Sequence, residues 1–237
     1  KVKIGKITFE GNQVFSDRKL RKTFKKTHQK SINIFRSSKF KRKEYAEDKE
    51  NLLDFYNSRG YRNAVILSDS IYPINAERLG IVIKVDEGKK FYYRNVSWLG
   101  NSVYPTKQLD AMVGIVKGSS YDKKSLYKQL GIGKETNPDE MSVSTLYQNS
   151  GYLFSQIEPQ EVVVGKDSVD LVIKIFEGDQ ARINEVTFTG NYRVDDKVIR
   201  RELYVRPGEL YDRSMLMATL RQLGQMQHFD PEKLQPN

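Results

Sequence analysis

The 237-residue chain is 38% hydrophobic and 30% charged, with a formal net charge of +10 and no cysteine. Disulfides, thiolate metal sites and cysteine nucleophiles are excluded, and no apolar run approaches the ~20 residues of a membrane-spanning helix. Such polarity suits several small units that each bury little, rather than one large core.

The charge is local. Twelve Lys or Arg and no acid lie between Arg18 and Lys43; removing these from the 40 basic residues leaves 28 against 30 acids. The opening, KVKIGKITFE, reads as a strand rather than a signal peptide. The alternation ITFE ends on Gly11-Asn12, whose residues tolerate the left-handed backbone of a sharp strand exit. Ser16-Asp17 supplies a helix start, and Leu20 and Phe24 share one stripe of the helix that follows. A long basic loop, THQKSINIFRSSKFKRK, leads to a second helix, YAEDKENLLDFYNSR. Leu52, Phe55 and Tyr56 form its apolar stripe, and Gly60-Tyr61 ends it with a glycine cap. The extended stretch YRNAVILSDSIY, the turn-rich PINAER and the apolar LGIVIKV then read as a hairpin that closes on Glu87-Gly88.

The same order begins again at VSWLGN, Val96 to Asn101. Pro105-Thr106 starts a helix carrying Leu109 and Val113; KGSSYDKKSL opens a second helix with Asp122 as its N-cap. GIGKETNPDE interrupts that helix, because Gly131, Gly133 and Pro138 each weaken it. Val143, Leu146 and Tyr147 continue the stripe to Gly151-Tyr152, and YLFSQIEPQEVVV and VDLVIKI form a hairpin ending at Glu177-Gly178. A third round opens at VTFTGN, Val186 to Asn191, with Asp195-Asp196, Ile199, Leu203 and the N-cap Asp212, but has no closing hairpin. The Gly-Asn pairs stand 89 and 90 residues apart. The fold class expected is therefore α+β: tandem β-α-α-β-β modules, each a three-stranded mixed sheet covered on one face by two helices. The modules run 1–88, 89–178 and 179–237, the last truncated, which marks a fragment of a longer chain. That truncation predicts apolar surface exposed around Phe188 and Ile199.

This ordered set, Gly-Asn after the first strand, Gly-Tyr after the second helix and Glu-Gly after the last strand, resembles the polypeptide-transport-associated (POTRA) domains of BamA-type outer-membrane protein assembly factors. FKRKEYAEDKENLLDFYNSRGYRNAVI makes the first module similar to the third domain of that array. The second resembles the fourth, and VIRRELYVRPGELYDRSMLMATLRQLGQMQHFDPE resembles the start of the fifth. The chain departs from the pattern at GIGKETNPDE and at Gln227-His228-Phe229. The resemblance implies a non-enzymatic periplasmic arm, joined to a membrane barrel C-terminal to it. Its partners would be unfolded outer-membrane proteins and assembly lipoproteins. It implies no cofactor.

Independently of the resemblance, the second strand of each hairpin module lies at a sheet edge, where an extended peptide can add by main-chain hydrogen bonds. Pro159 blunts that edge in the second module. The expected pairing edge is therefore Asn63, Ala64, Val65, Ile66, Leu67, Ser68, Asp69 and Ser70. The competing reading is an edge that is solvated or protected by its neighbours.

The basic window, represented by Arg18, Lys22, Lys25, Lys26, Lys30, Arg36, Lys39, Lys41, Arg42 and Lys43, is read as a solvated face, with anionic lipid headgroups or an acidic partner as the functional alternative. Nucleic acid is not expected: no GxxG follows a first helix here, and no aromatic RNP pattern lies on a central strand. His28 and His228 lack acidic neighbours at metal-ligand spacing. Glu87 and Glu177 read as turn carboxylates, since one acid per module makes no catalytic pair. Tyr56, Tyr61, Tyr147 and Tyr152 read as core aromatics with wet hydroxyls. A purely structural spacer array, or the array of a related secretion barrel, is the alternative to client binding.

Overall fold

The computed structural model describes residues 2–29, 39–133, 136–137, 139–189, 191, 194–226 and 234. They form two compact units, one of Lys1–Val96, Ile115–Leu126 and Glu161–Leu171, the other of Ser97–Gly114, Tyr127–Gln160 and Val172–Asn237. The strands are β1 (Lys3–Glu10), β2 (Val65–Asn75), β3 (Arg78–Asp86), β4 (Tyr92–Leu99), β5 (Gln156–Val164) and β6 (Ser168–Phe176). They make two three-stranded sheets of order β1-β3-β2 and β4-β6-β5, the α+β arrangement of the expected modules. The helices are α1 (Asp17–Arg21), α2 (Arg42–Asn57), α3 (Thr106–Val113), α4 (Lys123–Leu130), α5 (Val143–Gln148), α6 (Asp196–Arg201) and α7 (Arg213–Gln225).

In the first sheet β1 runs parallel to the central β3 and β2 antiparallel to it. Ile81, Ile83 and Val85 alternate inward from β3. On β1, Ile4 and Ile7 are three apart yet both buried. The register shift between Ile4 and Lys6 inserts Gly5 as an extra residue and returns the alternation to the core. Helix α2 buries Tyr45, Asp48, Leu52 and Tyr56, a stripe spaced three and four. With Leu20 and Phe24 they complete the core, each aliphatic side chain contributing about 1.5–3 kcal/mol on burial.

The interrupted helix of the second module appears as α4 and α5. The second starts afresh with a capping box: Ser142 Oγ accepts from the Thr145 amide, and Thr145 Oγ1 accepts from the Ser142 amide.

In the third module the expected first strand does not form over residues 186–189. Just ahead of it, a bridge pairs Arg182 with Leu210. In the first module this strand is held by the central one, and no counterpart of β3 follows α7 among the described residues. Ile199, expected at the surface, is buried, whereas Phe188 is half-buried with the Arg200 guanidinium 5.2 Å from its ring centre.

The Gly-Asn turn divides its labour differently from expectation. Glycine takes the left-handed backbone, φ +82° at Gly11 and +84° at Gly100. No non-glycine described residue has positive φ. The asparagine acts through its side chain. Its amide donates to the carbonyl three residues on: Asn12 to Phe15 at 2.8 Å, Asn101 to Tyr104 at 3.0 Å, Asn191 to Val194 at 3.2 Å. A second bond reaches Asp17, Thr106 or Asp196 at the head of the next helix. It is a tie from turn to helix, repeated three times.

Candidate functional site

Strand β2 is outermost in its sheet and longer than the sequence indicates. It starts at Val65 and continues through Pro73 to Asn75. The strand was expected to stop before the turn-rich PINAER; at a sheet edge its proline is tolerated. Register shifts between Ile66 and Ser68 and between Pro73 and Asn75 set Leu67 and Ile74 aside as bulge positions.

Of the eight expected edge residues, Val65 to Ser70 lie on β2. Asn63 sits in the preceding turn, and Ala64 is buried just before the strand. Ile66 points back to pack on the core. Sequence reasoning missed Ile71, Tyr72 and Ile74, which with Val65 and Leu67 expose between 41% and 57% of their surface. The Tyr72 ring lies over Gly80 of β3, so close that a Cβ there would fall 2.3 Å from the ring. Gly80 thus makes room for an aromatic on the strand that has only one neighbour. A long edge with unpaired backbone and exposed apolar side chains is a template for another strand.

The outermost strand of the second sheet, β5, is less open. More of its residues are half-buried than on β2, and the Glu161 carboxylate is held by Arg62 Nε at 2.7 Å and by the Tyr121 hydroxyl at 2.8 Å.

The described basic residues do not make a uniform patch. Lys26 pairs with Glu47 and Lys41 with Glu44. Arg18, Lys22, Lys25, Lys39, Arg42 and Lys43 are exposed. Lys30 and Arg36 lie outside the described residues, as does His228. Among the described residues, no group of His, Cys, Asp or Glu is placed to hold a metal ion. No helix among the described residues is long and apolar enough to cross a membrane.

The matched glutamates have a structural task. Glu87 is buried and accepts from the Gln13 and Val14 amides, each at 2.8 Å, and from the Tyr56 hydroxyl at 2.9 Å. Glu177 accepts from Ser102 Oγ, from the Val103 amide at 2.9 Å and from the Tyr147 hydroxyl at 2.8 Å. One carboxylate thus ties the end of the central strand, the Gly-Asn turn and the second helix together. The Tyr56 and Tyr147 hydroxyls are therefore bonded to protein, not wet. Burial, then the bond to glutamate, pushes both phenols above their ordinary range.

Burial alone would raise the Glu177 carboxyl, but its hydrogen bonds from Ser102, Val103 and Tyr147 outweigh it and hold the group below the usual carboxylate range. A carboxyl depressed in the fold contributes stability above its unfolded value, lost as pH falls through the folded one. Glu177→Gln is therefore expected to lower stability at neutral pH and flatten the acid limb of the pH–stability curve. Urea titrations followed by Trp98, the one tryptophan and itself buried, read this directly. Parallel acid limbs for variant and wild type would contradict it.

These features define a class: tandem small α+β modules stitched by repeated turn-and-carboxylate knots, one offering a long open strand edge. The POTRA profile, described as a surface antigen variable number repeat, matches residues 2–88, 91–178 and 181–236, and the chain belongs to that family. It is 31% identical over 233 residues to the outer membrane protein assembly factor BamA of Neisseria meningitidis, covering 96% of this chain and 28% of that protein. It is 25% identical over 226 residues to BamA of Neorickettsia risticii, covering 94% and 29%. The chain therefore spans less than a third of the length of these relatives. The crystal structure of Haemophilus influenzae BamA POTRA3-5 superposes with a TM-score of 0.72 at 16% identity, over 97% of this chain and 87% of that one. That likeness concerns the fold.

Proposed function

We propose that the chain is part of the periplasmic arm of an outer-membrane β-barrel assembly factor, and that β2 receives unfolded outer-membrane proteins by strand addition. The observation that carries this reading is the edge itself: eleven residues, one neighbouring strand, and exposed Val65, Leu67, Ile71, Tyr72 and Ile74. Backbone pairing is indifferent to client sequence, which suits a carrier of many β-rich clients. The BamA relatives and the POTRA family support the setting. In that setting the arm binds without catalysing, assembly lipoproteins are its further partners, a membrane barrel follows it, and the exposed lysines near Arg42 face acidic partner surfaces or anionic headgroups.

In this reading the modules span 1–88, 89–178 and 179–237, and strand addition is confined to the first. Photo-crosslinkers at Leu67 and Ser70, both exposed, are expected to capture a urea-denatured outer-membrane β-barrel polypeptide on dilution. Consecutive amides in a strand point to opposite sides. Of Ser70→Pro and Ile71→Pro, one therefore destabilises the sheet by breaking the β3 pairing. The other leaves the sheet intact and abolishes capture. Capture unaffected by both, or no capture at all, would refute strand addition. In that case the spacer reading stands, which the repeated backbone bonds between successive modules favour: Phe91 N to Gly60 O and Ala181 N to Gly151 O, each 2.8 Å.

A further inference from the structure

The start of the second module is tied to the first at Phe91, and its backbone is then held within its own module. Phe91 N donates to Gly60 O at 2.8 Å, and Tyr121 N donates to Phe91 O at 2.9 Å. Tyr93 N reaches Ser119 O at 2.9 Å, and Gly118 N reaches Tyr93 O at 2.7 Å. Ninety residues on, the pattern recurs. Ala181 N donates to Gly151 O at 2.8 Å, Tyr211 N to Ala181 O at 2.9 Å, Ile183 N to Glu209 O at 2.9 Å and Gly208 N to Ile183 O at 2.7 Å. The clamp is thus a property of the repeat and depends on no particular side chain.

The first junction adds something the second does not. Arg62, two residues past Gly60, sends Nε to Glu161 Oε2 at 2.7 Å and Nη1 to Asn63 Oδ1 at 3.2 Å. The other Glu161 oxygen accepts from Tyr121, whose ring lies 5.4 Å from that of Tyr93. The Arg62 and Glu161 side chains are 28% and 14% exposed, so water screens the pair only in part. Burial works against the Arg62 charge, but the bond to and charge of Glu161 prevail and raise the guanidinium above its ordinary value. At the second junction the residue two past Gly151 is Leu153, whose side chain carries no charge, and the further attachments are different ones: Gln180 Nε2 donates to Ser150 O at 3.0 Å and Ser214 N to Asn149 Oδ1 at 3.1 Å.

We propose that Arg62, Glu161 and Tyr121 form an ionic latch that fixes the first junction against rotation. The reasoning is geometric. A single inter-module hydrogen bond, Phe91 to Gly60, restrains separation but leaves the modules free to swing about it. A further attachment, through a planar guanidinium with directional donors, removes that freedom. The two ends of the latch are informative. Glu161 lies on β5, the outermost strand of its sheet, and Arg62 lies three residues before Val65, the first residue of β2. The latch therefore ties one module's edge strand to the lead-in of the other's. It stands independently of whether either strand takes a client.

The test uses the absence of cysteine. Asp54→Cys on α2 and Lys166→Cys in the β5–β6 turn are exposed positions for a pair of spin labels. Dipolar spectroscopy of the otherwise unaltered chain is expected to give one narrow distance distribution. Arg62→Leu, which installs the residue found at the second junction, and Glu161→Gln are expected to replace it with a broad one. Tyr121→Phe, which keeps the ring and removes only the hydroxyl, should broaden it less. The exchanged pair Arg62→Glu with Glu161→Arg should restore narrowness relative to either single charge change. Circular dichroism and Trp98 fluorescence establish that each variant keeps its modules folded. A broad distribution in the unaltered latch, or single variants as narrow as wild type, would overturn the proposal.

Discussion

Gly100→Ala is expected to destabilise the second module by about 3–4 kcal/mol, well beyond an ordinary turn substitution. Two costs combine. Alanine at φ +84° occupies a region that L-residues avoid at about 1–2 kcal/mol. A Cβ at Gly100 would also stand 2.1 Å from the Ile175 carbonyl oxygen. That oxygen belongs to backbone of the central strand β6, so no flexible side chain can give way. The matched control is Gly114→Ala. Its φ is +65° and no atom lies within 4 Å of the added carbon, so only the conformational cost of about 1–2 kcal/mol applies. Urea denaturation read by Trp98 compares the two. Equal losses would mean that the close approach of turn to strand is not a feature of the folded protein. The same geometry at Gly11, 2.1 Å from the Val85 carbonyl, predicts a parallel loss in the first module.

That close approach explains why the Gly-Asn pair could be found in the sequence while its mechanism could not. Strand alternation, helix stripes, Glu-Gly ends and Gly-Tyr caps are local patterns, and each marks its element. What distinguishes the glycine from the asparagine is tertiary: a carbonyl from a strand about 75 residues later fills the space where a side chain would go. Tyr56 and Tyr147 repeat the lesson. Their positions on a helix stripe were legible, but their bonds to Glu87 and Glu177 span 31 and 30 residues.

The outermost strand β2 was legible in place and misjudged in extent. The β-branched run from Val65 announces a strand. Pro73 obscures its continuation, because proline forbids a central strand but not an edge. Arg62 and Glu161 left no local signal at all: 99 residues separate them, and each sits in an ordinary polar context. The first strand of the third module fails in the opposite direction. VTFT has strand chemistry, yet a strand needs a partner to pair with, and the pattern alone does not supply one.

Asp48→Ala is expected to cost the first module about 3 kcal/mol or more, although the residue sits in the polar run AEDKEN. Asp48 is fully buried. Its carboxylate accepts from the amides of Lys25 at 2.8 Å, Lys26 at 3.1 Å and Thr27 at 2.6 Å, and from the Asn51 amide at 3.2 Å. Three consecutive backbone donors just past α1 are satisfied by one side chain on α2. Truncation leaves them together without this acceptor; Thr27 is itself buried, and an orphaned buried donor costs more than the average hydrogen bond contributes. Asp48→Asn retains one oxygen but turns an NH₂ group toward donors, so it should recover only part of the loss. Asp54→Ala, on the exposed side of the same helix, should change stability by no more than about 0.5 kcal/mol. Hydrogen exchange at Lys25 to Thr27 separates the local effect from global unfolding. In Asp48→Ala those amides should lose protection at denaturant concentrations where the central β3 keeps its own. If the three amides stay as protected as in wild type, Asp48 does not organise the segment that carries the basic loop toward α2.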